Sequence, residues 1–163
     1  MTGNKATYLT VILLLIFACC NSTTVWQQNA SIPSAEWNMN DTLKFDMPVA
    51  DTSLRYALCI NVRNRIDYDY QNLYLFIETR APYGGVTTDT LNCMLAYDSG
   101  EWTGSGGIFS KYRENIFLYR NNIRFIATGN YSVTIRHGMR RENLNGVAAL
   151  CLILKQHNNN NIQ

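Results

Sequence analysis

The side chains able to do chemistry are few, and most stand far apart. Five cysteines and two histidines occur among 163 residues. Cys19 and Cys20 are adjacent at the end of an apolar run, whereas Cys59, Cys93 and Cys151 are isolated and show no CxxC spacing of a metal or redox pair. Each of these three falls in a stretch that reads as strand, which favours buried free thiols. A Cys59–Cys151 bridge is the alternative if their strands are neighbours. His137 stands alone at a strand end and His157 lies in the tail, too few for a metal site of the usual ligand number. Asp89, Asp98 and Glu101 gather around Trp102. Paired carboxylates beside an aromatic serve glycosidases, sugar sites and calcium sites, but acidic residues at turns are commonly just solvated. Gly104, Gly106 and Gly107 lack the strand-then-helix context and the Lys-Ser/Thr of a phosphate-binding loop, so they read as a flexible turn. Arg136, Arg140, Arg141 and Glu142 form a charged cluster that is either a docking surface or a solvated loop. No nucleophile–base–acid arrangement emerges. The expectation is therefore no catalytic residue, no metal ligand, no cofactor and no enzymatic activity.

The one position whose chemistry can be stated outright is Cys19. Residues 1–8 are polar with a single positive charge at Lys5, and residues 9–18 are apolar apart from Thr10. That run is too short to span a bilayer as a helix, which takes about 20 residues, and it has the length of a signal-peptide core. It ends in Ile16-Phe17-Ala18-Cys19, which resembles the lipobox of bacterial lipoproteins. There the cysteine sulfur carries diacylglycerol, the leader is cut before the cysteine, and the new amine is acylated. Small Ala18 opens the backbone to the peptidase, and several acyl chains on one residue anchor stably because each buried methylene contributes about 0.8 kcal/mol. Cys20 is the rival acceptor. Residues 1–18 are expected to be the leader, and 19–35, mostly small and polar, a lipidated cysteine and flexible tether interrupted by Trp26. Four Asn-x-Ser/Thr triplets, at Asn21, Asn29, Asn40 and Asn130, read as chance in a chain this rich in those residues.

The elements that must carry any site are strands. Net charge is +2, and loss of Lys5 with the leader leaves 13 basic against 12 acidic side chains, no field that would condense on nucleic acid. Ten tyrosines, only three prolines and many β-branched residues make a strand-forming composition. Alternation predicts a first strand over Leu43–Phe45 ended by Pro48, a clear strand over 54–63 with Leu54, Tyr56, Leu58, Ile60 and Val62 on one face, and another over 70–79. The short polar turn between these two predicts an antiparallel hairpin. Apolar residues on both faces of 70–79 (Leu73, Leu75 and Ile77 against Tyr74 and Phe76) predict a central strand. Further strands are expected over 86–95, near 115–120, near 123–127, over 129–137 and over 147–155, with a brief helical turn possible in 108–114. Gly129-x-Tyr131 resembles the tyrosine corner of Greek-key sandwiches. Some eight strands with turns at intervals of about ten residues predict an all-β antiparallel sandwich over 36–155, followed by a disordered tail at 156–163.

The ordered set of Cys19, Trp37, Phe45, Tyr56-x-Leu58-x-Ile60-x-Val62-Arg63-Asn64, Tyr70-x-Asn72-Leu73-Tyr74-Leu75-Phe76, Pro82-x-Gly84, Asp89-Thr90-Leu91, Gly100-x-Trp102-x-Gly104-x-Gly106, Gly129-x-Tyr131 and Leu144-x-Gly146-Val147 resembles the GldH gliding motility lipoproteins of Bacteroidetes. That resemblance implies a lipid-anchored β-sandwich of the cell envelope, needed in gliding members for the motility machinery and the linked type IX secretion system. It implies a role beside other envelope lipoproteins and not as an enzyme. In this phylum acidic residues just behind the acylated cysteine resemble a surface-export signal. Cys20-Asn-Ser-Thr-Thr24 carries none, which implies an outer-membrane anchor facing the periplasm. The partners implied are a membrane, through the lipid, and other envelope proteins. Trp102, Asp98, Glu101 and Arg140 are the candidate contact surface. The alternative is a glycan-binding lipoprotein using Trp102, Trp37 and nearby carboxylates.

Overall fold

A computed structural model describes residues 24–107 and 109–157. The leader, Cys19, Cys20 and the Asn21 triplet lie outside these residues, as do positions 158–163 of the expected tail. Ten strands are described: β1 (Thr24–Ser31), β2 (Glu36–Asn38), β3 (Leu43–Val49), β4 (Tyr56–Arg65), β5 (Asn72–Arg80), β6 (Val86–Met94), β7 (Tyr112–Ile123), β8 (Gly129–His137), β9 (Asn143–Asn145) and β10 (Val147–Gln156). They form a first sheet β1-β10-β4-β7, a second sheet β3-β8-β5-β6, and a small β2-β9 pair, with every pairing antiparallel. The expected all-β sandwich is the fold observed.

The alternation read from the sequence is what fills the space between the sheets. Leu58, Ile60 and Val62 of β4 and Leu150, Leu152 and Leu154 of β10 meet Phe45 and Met47 of β3, Leu73, Leu75 and Ile77 of β5, and Val133 and Ile135 of β8 in one buried cluster. β10 lies between β1 and β4, as its nearly continuous apolar run requires. The tyrosine corner is present: the Tyr131 hydroxyl donates to the Ala127 carbonyl at 3.0 Å.

Several expectations are corrected. The stretch 24–31 is no tether. It is edge strand β1, paired with β10 from Thr24↔Lys155 to Ser31↔Ala149, with Trp26 and Ala30 packed on the core. Its inward positions include Gln28, and that polarity hides the alternation. A 3-10 turn at Pro33–Ala35 and strand β2 complete the segment. Gln156, assigned to the tail, closes β10 opposite Tyr56. Pro48 does not end its strand; it sits within β3 opposite Asn130, which an edge strand tolerates because no strand pairs with its other side. β4 and β5 do not form a hairpin. They lie in different sheets, and the crossing between them is pinned by buried Tyr68, whose hydroxyl donates to Asn72 O at 3.0 Å. One apolar face per strand fits either arrangement, since strands in the same sheet and in facing sheets bury that face in the same core. β7 is one long strand where two were expected, and 124–127 is irregular, with Phe125 stacked against Tyr56 and Tyr131. Residues 109–111 are turn and bend, and the chain enters β7 at Tyr112 with no helical turn.

The two lateral seams of the sandwich are closed differently. Where β1 meets β3, the Gln28 side chain acts as a piece of strand: its Oε1 accepts from the Asp46 amide at 3.0 Å and its Nε2 donates to Lys44 O at 3.4 Å. Where β6 meets β7, the Asp89 carboxylate accepts from the Tyr119 hydroxyl at 2.7 Å and from the Arg120 guanidinium.

Candidate functional site

The residues proposed as a contact surface lie mostly on one element, the loop between β6 and β7. Its first half is a tight hairpin. The Tyr97 amide donates to Glu101 O at 2.8 Å and the Thr103 amide to Leu95 O at 2.8 Å, with Ala96 and Trp102 bridged as strand partners. Asp98, Ser99 and Gly100 make its tip. Trp102 fastens this hairpin to the end of the sandwich. Its indole N–H donates to Ile66 O at 3.1 Å, and its ring lies 6.4 Å from that of Tyr68.

The second half is fastened to β7. The Thr103 hydroxyl bonds to Asn115 Oδ1 at 2.7 Å, and Asn115 Nδ2 donates to Asn64 Oδ1 at 3.3 Å, which links the loop to buried amides on two strands of the first sheet. The Ser105 and Glu114 amides and carbonyls exchange hydrogen bonds at 2.9 Å each. Gly104 has φ +81°, and a Cβ there would come within 2.3 Å of Glu114 O. Glycine is required at this position by both backbone conformation and space. The glycine-rich stretch expected to be a flexible turn is thus closely packed at this point.

This rigid base presents exposed Asp98 and Glu101, with Tyr97 beside them at 60% exposure. Neither carboxylate takes part in an ion pair among the described residues. Asp89 is not brought to them. It is held in the β6/β7 seam, where the Tyr119 hydroxyl and then the Arg120 guanidinium lower its pKa below the usual carboxylate range. The carboxylate constellation around Trp102 is therefore not assembled. Arg140 is exposed on the loop after β8 and, among the described residues, forms no ion pair with Asp98 or Glu101. Its neighbour Arg141 donates through Nε to the Tyr70 hydroxyl at 3.0 Å.

The other chemically capable groups are interior. Trp37 is fully buried, its N–H donating to Asp41 O at 3.0 Å, and it stacks edge-on to His137 at 5.4 Å. Burial lowers the His137 pKa and favours its neutral form. Cys59, Cys93 and Cys151 are buried free thiols. Cys59 and Cys151 do sit on adjacent strands, yet in diagonal register: Cys59 faces Ile153 and Cys151 faces Asn61. Burial pushes the Cys93 thiol up to about 12, out of reach of thiolate chemistry at neutral pH. Among the described residues no three His, Cys, Asp or Glu come together as metal ligands.

Sequence reasoning missed a second feature, the outer face of the second sheet, where Phe76, Arg136 and four threonines line an open groove. The only signal was that Tyr74 and Phe76 alternate with the buried residues of β5. That signal was read as evidence of a covered strand; β5 is central, but its second face is open and both rings are 41% exposed.

Two antiparallel sheets packed on one core, with a fastened loop at one end and an open outer face on the second sheet, define the class: a small β-sandwich domain. The chain belongs to the GldH lipoprotein family, whose profile matches residues 24–153. It is 32% identical over 141 residues to the gliding motility lipoprotein GldH homolog of Christiangramia forsetii, covering 86% of this chain and 85% of that protein. It is 31% identical over 143 residues to the gliding motility lipoprotein GldH of Flavobacterium johnsoniae, covering 87% and 86%. Membership makes it a lipoprotein, associated with a membrane of the cell envelope. Among solved structures, a GH115 4-O-methyl-α-glucuronidase with specificity for decorated arabinogalactans aligns at a TM-score of 0.42 and 11% identity, over 83% of this chain and 18% of that one. A likeness that slight carries nothing about function.

Proposed function

We propose that this lipoprotein is a non-enzymatic assembly component of the gliding motility and type IX secretion machinery, anchored through acylated Cys19 in the outer membrane and facing the periplasm. Two relatives named for gliding motility support the setting. The observation that carries the docking role is the fastened loop. Trp102, Thr103, Gly104 and Ser105 are all tied to the sandwich, so Tyr97, Asp98 and Glu101 are presented on a base already ordered before contact. Binding through such a loop costs less conformational entropy, because its backbone is already held and only the exposed side chains of the tip remain to be ordered. Other envelope proteins are the partners, and the tip offers them an aromatic ring beside two carboxylates.

The test is crosslinked isolation of the native lipoprotein, with identification of what is attached, beside a Tyr97→Ser/Asp98→Asn/Glu101→Gln variant. Recovery of motility or secretion proteins by the wild type and their loss from the variant is the expected result. Equal recovery by both would remove the loop from the docking role, and recovery of no envelope protein would defeat the proposal. The anchor is tested separately by Cys19→Ser. It is expected to lose palmitate labelling and membrane partitioning; retention of both would move the acceptor to Cys20.

A further inference from the structure

Across the outer face of the second sheet runs a groove of about 650 Å3, within the range of small-molecule sites. β5 supplies its floor. Phe76 has Thr90 of β6 directly opposite on one side and Arg136 of β8 on the other, and in the next row Glu78 is flanked by Thr88 and Thr134. The Phe76 ring is held from two directions. It lies against Gly138, where a Cβ would come within 2.8 Å, and the Arg136 guanidinium carbon sits 5.3 Å from its centroid. The ring nonetheless remains 41% exposed.

The charges on this face are not equivalent. Two carboxylates line the groove and both are already engaged, Glu78 with Arg80 at 3.2 Å and Asp89 with Arg120 and Tyr119, whereas Arg136 belongs to none of the ion pairs among the described residues. The groove therefore offers one unpaired guanidinium, positioned by an aromatic ring and bordered by rows of hydroxyls. An apolar peptide would bury those hydroxyls and that cation without satisfying them. A nucleic acid would call for several cations along its backbone. A sugar ring answers both parts: its C–H face covers the aromatic ring while its hydroxyls meet threonines. A carboxylate on that sugar matches the planar fork of arginine.

We propose that this groove binds a carboxylated saccharide, with the sugar ring on Phe76 and its carboxylate on Arg136. The aromatic surface is therefore not Trp37 or Trp102, both of which are engaged in the fold. The proposal is independent of the docking role of the 95–107 loop and uses none of its residues. Such a carboxylate has two natural sources, a uronic acid in a polysaccharide and the lactyl group of a cell-wall muramic acid.

Calorimetric titration of the full-length lipoprotein in detergent separates them. The probes are trigalacturonate and the N-acetylglucosaminyl-N-acetylmuramic acid disaccharide, with cellotriose and chitobiose as neutral counterparts. One carboxylated probe is expected to bind at micromolar to millimolar concentration, roughly tenfold or more above its neutral counterpart. Which one binds identifies the source. Arg136→Gln is expected to erase that preference while leaving the thermal melt unchanged, and Phe76→Leu, which retains an apolar side chain and loses the ring, to weaken acidic and neutral sugars alike. The proposal is overturned if neither carboxylated probe binds at millimolar concentration, if neutral and acidic sugars bind equally to the wild type, or if folded Arg136→Gln keeps the discrimination.

Discussion

The two lateral seams of the sandwich solve one problem with opposite chemistry. Between β1 and β3 a neutral amide, Gln28, bonds to the backbone of the facing edge. Between β6 and β7 a carboxylate, a phenol and a guanidinium close the gap. A neutral amide keeps its hydrogen bonds at any ordinary pH and in salt. A charged clasp is worth more per bond but depends on protonation and, where exposed, on screening. The seam that borders the candidate docking loop is therefore the one that responds to salt and to strongly acidic or alkaline conditions, because Asp89 stays ionised and Tyr119 stays neutral between them, and the seam formed by β1 is indifferent to both.

Four measurements break or sharpen that contrast. The largest effect comes from the shared core, which supports both seams alike. Phe45→Ala is expected to cost about 3–5 kcal/mol in urea unfolding, and a much smaller loss would mean that the sheets rest on their seams and not on the core. Asp89→Ala comes next at about 1–2 kcal/mol, because it leaves the half-buried Tyr119 hydroxyl without its acceptor. Gln28→Ala follows at about 0.5–1 kcal/mol, with the same loss in low and high salt. A Gln28 effect that varied with salt, or an Asp89 effect that did not, would erase the distinction.

The smallest effect is the dependence on pH. The Asp89 carboxyl is held below its ordinary value of 3.8. Its contribution is therefore complete above that value and is lost as pH falls through the folded-state value. Tyr119 is pushed up to about 12, first by burial and then by its bond to Asp89. Its contribution is complete below the ordinary value of 10 and is lost as pH rises toward 12. Melting temperatures of wild type and Asp89→Asn are expected to differ at neutral pH and to converge in acid below about pH 4. Parallel curves throughout would place the charge of Asp89 outside the energetics of the seam.

What was legible beforehand followed from period and composition. The alternation in 54–63 and 129–137 marks strands whose apolar faces have one place to go, and the continuous apolar run of 147–155 marks a strand covered by its neighbours. The Gly129-x-Tyr131 pattern acts over four residues, short enough to read directly. The seam partners lie 30 residues apart for Asp89 and Tyr119 and 18 apart for Gln28 and Asp46, and no local pattern joins them. β1 escaped notice for the same reason. Its polar inward residue is satisfied by another strand's backbone, a partner invisible from its own neighbours.

The candidate contact residues divide the same way. Trp102 was marked by its glycine-rich surroundings, and the structure ties it down, leaving Tyr97, Asp98 and Glu101 as the accessible tip. Phe76 and Arg136, 60 residues apart, become cross-strand neighbours only because β5 pairs with β8. The sequence by itself determined the lipobox match, the strand composition and the family's ordered motifs, because each is a local pattern of residue types. Which strands share a sheet, which faces are covered, which carboxylates stay free and where an aromatic meets an unpaired cation were decided only in three dimensions. An apolar face can be buried against many partners, and only the packing of the ten described strands around one core selects among them.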